Sequence, residues 1–260
     1  MWYFVADWHL NHGNIIKYKK RPFMTSQEED LCYLVDQGCI PPHEFKISYE
    51  SIQAMNETII ENTNAFVRNN DHLVINGDLF FSKQSKKLEE AKKFREMINC
   101  ENVYVILGNH DDRNVLSPYF KVFDQYRFNI DGQQVFCCHY PCRSWDMASY
   151  GSWMLYGHVH GSLSDQDCGK LTSYEAHVYN EEFTKILKKH GNYNSGLVDE
   201  LLAACSTTRG IDFTLDVGVD NPYRADKVPF GTPWSMEEIT EYMQEKKEGW
   251  KKRNSFKHQN

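Results

Sequence analysis

The chain of 260 residues is 41% hydrophobic and carries 15 Phe, 15 Tyr and 6 Trp, enough apolar matter to build a core, which excludes a disordered protein. Its net charge of −7 excludes a polyanion binder that works through overall charge. The length suits one domain over residues 1–260, with insertions.

"MWYFVADWHL" opens the chain with a short apolar run broken by Asp7. It has no basic start, so it is no signal peptide, and no segment is long enough to span a bilayer. A cytoplasmic protein with no membrane partner is expected. "WYFVA" runs into "DWH", and Trp8 either walls a pocket or packs. His12 and Asn14 follow, as contacts to a substrate phosphate or as helix caps and loop residues. Arg21 in "RPF" could grip phosphate bidentately or form a surface ion pair. After the segment at about residues 28–50, Ile52, Met55, Ile59, Ile60 and Val67 give Ser51–Val67 a helical stripe. "HLVIN" then runs into "GDLF", and Gln84–Ile98 carries a second stripe through Leu88, Ala91, Phe94 and Ile98. "VYVIL" runs into "GNHDD", followed by Arg113 with the same two readings as Arg21. "QVFCC" runs into "HYP" and "SWMLY" into "GHVHG". Residues from about 163 to 209 contain helical patterns at Ala176–Lys189 and Gly196–Ala204. From residue 243 onward six Lys/Arg face two Glu, a net +4 that leaves −11 on the rest and reads as a solvated helix end.

Eight cysteines show no C-x-x-C pair, and Cys137 and Cys138 are adjacent. Reduced thiols are expected, these two as small buried hydrophobes beside His139.

Continuous apolar runs of strand length suit a sheet buried on both faces. Each of the five runs ends in a polar cluster, at the strand edge where α/β sheets bind ligands. Together these loops assemble Asp7, His9, Asp78, Asn109, His110, Asp111, His139, His158 and His160. Turn chemistry explains Asp or Asn in one loop, and poorly in five. Carboxylate, imidazole and amide donors without thiolates suit two divalent metals, which at about 3.5–4 Å apart can clamp a phosphoryl group. Manganese is favoured among manganese, iron, zinc and nickel.

In order, "DWH" (7–9), "GD" (77–78), "GNHD" (108–111), "HYP" (139–141) and "GHVH" (157–160) resemble the motif set of the calcineurin-like metallophosphoesterases. "HGNIIKYKKRPF" (12–23), "LYGHVHG", "DVGVD" (216–220) and "SMEEI" (235–239) look like a small bacterial and phage-type branch. The resemblance covers about three quarters of the chain. It implies an α/β fold, a four-layer α/β/β/α sandwich. It implies that Asp7, His9, Asp78 and His160 hold one metal, with Asp78 bridging to a second held by Asn109, His139 and His158. His110 would stay unligated, neutralise the phosphate and protonate the leaving alkoxide, with Asp111 orienting it by hydrogen bond. The attacking species would be a hydroxide bridging the metals.

The implied reaction is metal-dependent hydrolysis of a phosphodiester or phosphomonoester, in a small nucleotide or a nucleic-acid end. Rival readings are a nuclease on polymeric DNA or RNA and a non-catalytic metal-bound scaffold. The acidic body weakens the first, and the intact ligand set weakens the second. The segments at about 28–50 and 163–209 follow site loops and are read as a cap, or alternatively as an oligomer contact.

Overall fold

Three of the apolar runs pair as parallel strands in one register. In the computed structural model, β1 (Trp2–Val5), β2 (His72–Ile75) and β3 (Asn102–Ile106) place Trp2 opposite His72 and His72 opposite Asn102. The structure describes the chain apart from residues 143, 164–172, 192, 199–200, 202–212, 226 and 256–260. β4 (Lys121–Phe123) extends this sheet beside β3 in parallel, and β9 (Trp234–Ser235) closes its other edge antiparallel to β1. The second sheet runs in the order β5 (Gln125–Ile130), β6 (Gln133–Cys138), β7 (Trp153–Tyr156), β8 (Thr214–Asp216).

Side chains alternate across a strand, so each strand of the first sheet feeds two interiors. Val5, Leu73, Ile75, Val103 and Val105 enter a core shared with the helices. On the other face Trp2 and Tyr104 meet Phe128 of β5, at centroid separations of 5.0 and 5.5 Å. Asn76, just past β2, donates to the carbonyls of Cys138 and Leu155 and so ties one sheet to the other. Burial on both faces is why these strands read as unbroken apolar runs. The fold is a mixed α/β sandwich of two sheets with helices.

Helices among the described residues include α1 (Gly13–Tyr18), α2 (Ser26–Asp36), α3 (Tyr49–Phe66), α4 (Lys87–Met97), α5 (Arg113–Leu116), α6 (Ser173–Lys189) and α7 (Met236–Ser255). The stripe of α3 buries Met55, Ile59 and Ile60, each worth roughly 1.5–3 kcal/mol over an exposed position. Thr25 and Glu28 form a capping box at the start of α2. The Glu28 carboxylate also accepts from the Ser48 N–H and the Ser51 hydroxyl, where α3 begins. One buried carboxylate therefore fixes the starts of two helices. Residues 28–50, read as a cap or an oligomer contact, supply Cys32, Phe45 and Ile47 to the helix-side core. Lys17 holds this segment by donating to the carbonyls of Pro42 and Phe45.

The chain divides into two compact units, Met1–Gly161 with Leu215–Met236, and Ser162–Thr214 with Glu237–Asn260. The second contains α6, where a helix was expected. Residues 195–198 are helical, and most of the pattern expected at Gly196–Ala204 lies outside the described residues. Lys246 departs from the expected solvated tail. It is buried, and its ammonium donates to the carbonyl of Thr214. Among the described residues no helix is long and apolar enough to cross a membrane.

Candidate metal centre

The loops after β1, β2, β3, β6 and β7 converge within the first unit. Asp7 lies two residues past β1 and Asp78 three past β2, and the two loops run together through Asp7 N–H to Gly77 C=O and His9 N–H to Asp78 C=O. Five of the converging residues have left-handed backbones: Asp7 (φ 58), His9 (φ 50), Asp78 (φ 54), His158 (φ 69) and His160 (φ 50). Each such position costs on the order of 1–2 kcal/mol outside glycine, so the loops hold these side chains inward under strain. Glycines make room behind them. A Cβ on Gly157 would fall 2.6 Å from Ala6 Cβ and 2.7 Å from Asp7 Oδ2.

Three overlapping groups result, each able to offer ligand atoms within 4.8 Å of one another: Asp7, His9 and His160; His9, Asp78 and His110; Asp78, His139 and His158. Asp78 joins two of them, with Oδ2 at 3.4 Å from His9 Nε2 and 3.5 Å from His139 Nε2. Asn109 Oδ1 sits 3.3 Å from His139 Nε2 and 3.0 Å from His158 Nδ1. The ring of His139 is set by contact of Nδ1 with the Asn76 carbonyl at 2.9 Å, which leaves Nε2 facing the cluster.

Two observations favour cations here. His9 Nε2 is buried without a hydrogen-bond partner. Burial, reinforced by nearby Arg21, His160 and His12, outweighs Asp78 and lowers the His9 pKa to about 2, so the ring is neutral. Its Nδ1 faces His12 Nδ1 at 3.3 Å and its Nε2 faces Asp78 Oδ2 at 3.4 Å, an arrangement that a cation at Nε2 satisfies. Second, burial and then the neighbouring Asp216 carboxylate push Asp7 well above the usual carboxylate range. Two carboxylates buried this close lack positive charge. Oxygen and imidazole donors of this kind fit divalent transition metals.

Asp111 does not orient His110. Its carboxylate accepts from the backbone N–H groups of Asp78, Leu79 and Gly108, locking the "GD" loop to the "GNHD" loop. The resemblance implied the pairing, but three backbone donors claim the carboxylate first. His110 instead stands with its ring 5.3 Å from that of His9, and its backbone N–H donates to Asp78 Oδ1.

Arg21 is also corrected. It is neither a phosphate grip nor a surface pair, being 1% exposed. Its guanidinium is spent on Asp220 bidentately (2.9 and 2.7 Å), the carbonyls of Asp7 and Trp8, and Met55 Sδ. Asp220 in turn contacts His160 Nδ1 at 2.7 Å. Burial alone would raise the Asp220 pKa, yet Arg21 and the His160 contact outweigh it and hold it at about 2. Asp220 and Asp216, the latter accepting from the N–H groups of Gly161 and Gly218, lie in the "DVGVD" stretch and were assigned no role from sequence. Their signal was two acids ending an apolar run, the same pattern as the other loops.

Arg113 pairs with Asp124 at the surface, the plainer of its two readings. Asn14 is exposed on α1. His12 reaches the cluster: its ring is 5.3 Å from that of His9 and 5.9 Å from that of His110. Trp8 is fully buried in the helix-side core, and Cys137 and Cys138 are buried thiols.

Strand-end loops from two sheets that gather aspartates, histidines and an asparagine in this order mark a metallophosphoesterase. The family model described as Calcineurin-like phosphoesterase matches residues 3–214, and the chain belongs to that family. It is 30% identical over 164 residues to an uncharacterized protein of Methanocaldococcus jannaschii, across 63% of this chain and 72% of that one. A crystal structure of a protein of unknown function from Aquifex aeolicus is similar at a TM-score of 0.49 and 17% identity, over 93% of this chain and 98% of that one. Family and clusters together support divalent-metal binding and metal-dependent phosphoester hydrolysis.

Proposed function

We propose that the protein hydrolyses a phosphodiester or phosphomonoester, in a nucleotide or a nucleic-acid end, with two divalent cations, manganese favoured. The observation that carries this reading is the buried, unpartnered His9 Nε2 aimed at Asp78 Oδ2, in a cluster short of positive charge. Asp7, His9, Asp78 and His160 would hold one cation; Asp78, Asn109, His139 and His158 would hold the other. Bound there, the cations would activate water and neutralise charge on the phosphoryl group. Asp220 fixes the His160 ring and the Asn76 carbonyl fixes that of His139, so that each presents one nitrogen. Arg21 and Asp111 hold the loop backbones still.

As water adds to phosphorus and the ester P–O bond breaks, the leaving oxygen takes a proton from the His110 ring N–H. The hydrolysis takes place in the cytoplasm, in keeping with the free thiols of the described cysteines. The test is turnover of an aryl phosphodiester and its monoester by metal-stripped protein resupplied with manganese, alongside calorimetric metal binding and Asp78→Asn. Two bound equivalents and turnover lost in the variant are expected. Protein that binds no metal would overturn the reading.

A further inference from the structure

Phe81 connects the metal centre to a second feature of the first unit. Its ring stacks on His12 at 4.6 Å and meets that of His110 edge-on at 5.7 Å. The same residue lines a cavity of about 460 Å³, within the range of small-molecule sites. Tyr49, Lys83, Lys86, Lys93 and Glu90 also line it.

The chemistry of this lining is unlike that of the chain as a whole. Three lysines face one glutamate in a protein of net charge −7. Lys83 and Lys86 have no acidic partner among the described residues. Glu90 accepts from Asn11 Nδ2 and stands 4.0 Å from Lys93, so its charge is already shared. Two large aromatic side chains stay exposed in the same cavity, Tyr49 at 69% and Phe81 at 46%. Neither burial nor ion pairing accounts for this combination. Aromatic faces beside unpaired lysines are what nucleotides select, the rings stacking on bases and the cations meeting phosphates.

We propose that this cavity binds the leaving part of the substrate, a nucleoside that carries a further phosphate. The base stacks on Phe81 or Tyr49, and the phosphate lies against Lys83, Lys86 and Lys93. The assignment to the leaving side rests on the function proposed above: Phe81 touches His110, the group that serves the leaving oxygen. A free nucleotide and the end of a nucleic-acid strand share this chemistry.

The test reads binding without turnover, so its outcome is separate from that of the hydrolysis assay. Full-length protein is titrated into a fluorescein-labelled phosphorothioate pentadeoxynucleotide, by anisotropy, over a series of KCl concentrations. Lys83 and Lys86 are exposed, so Lys83→Ser/Lys86→Ser leaves folding intact, which circular dichroism checks. This variant should bind more weakly, with a slope of log K against log salt shallower by about 0.7, the change expected when one phosphate of a single strand is no longer neutralised. Phe81→Leu should weaken binding by about 5- to 150-fold and leave the slope in place. Competition by adenosine 3′,5′-bisphosphate would assign the cavity to free nucleotides, and competition by an unlabelled strand alone would assign it to strand ends. No binding by the wild type, or a salt slope unchanged in the double variant, would overturn the proposal.

Discussion

Replacing Arg21 with Met tests how the centre is supported. The guanidinium and Asp220 are both almost fully buried, and the contact is bidentate. Met fills much of the same volume but abandons a buried carboxylate and the carbonyls of Asp7 and Trp8. Removing one partner of a buried pair costs about 3–5 kcal/mol, chiefly because the other charge is left without compensation. For a chain of this size that is a fall in Tm of roughly 6–20 °C. Urea denaturation gives the free energy, and a cycle with Asp220→Asn gives the coupling. Because Asn carries no charge, Arg21→Met/Asp220→Asn should be more stable than the sum of the two singles predicts. Manganese affinity should fall about 10- to 100-fold in Asp220→Asn, since His160 loses the partner that orients it. A destabilisation under about 1 kcal/mol in Arg21→Met, or strictly additive singles, would refute the argument that a buried charge pair holds this loop.

Three further outcomes follow from other contacts. Burial opposes ionisation of Glu28, but the Ser48 N–H, the Ser51 hydroxyl and the Thr25 N–H outweigh it and hold the pKa at about 2, against 4.5 for a free glutamate. The depressed value means stability that is whole above about pH 4.5 and is lost as pH falls toward 2, on the order of 3 kcal/mol. Urea midpoints across that range should show Glu28→Gln losing most of this pH dependence. Gly157→Ala places a methyl group against Ala6 and the Asp7 carboxylate, and should reduce bound metal below two equivalents while the chain stays folded; calorimetry beside circular dichroism checks it. His110→Asn should slow turnover by about 10²- to 10⁴-fold with both metals retained, and loss of one metal would make His110 a ligand instead.

The strands that carry the centre were legible because they are buried on both faces, and the five apolar runs became β1, β2 and β3 of one sheet and β6 and β7 of the other. β5 was missed for the opposite physical reason. Gln125–Ile130 has one exposed side and alternates, so no apolar run marks it. Its turn carried a signal of its own. Asp131 and Gly132, both with positive φ, join Ile130 to Gln133 as a two-residue hairpin, the Asp-Gly preference at work. Motif order named the residues that converge on the centre, because those side chains answer to chemistry rather than to packing. The partners behind them were illegible. Whether Asp111 meets a histidine ring or three backbone amides, and whether Arg21 reaches solvent or Asp220, depends on how loops distant in sequence come together.

The five left-handed backbones at Asp7, His9, Asp78, His158 and His160 set the function of this protein against its durability. Glycine at any of these positions would relieve strain and remove a proposed metal ligand in one step. Relief of strain therefore pulls against the centre, offset where a side chain such as Asp78 also accepts a backbone N–H. Only selection on the chemistry keeps the chain in its tenser form.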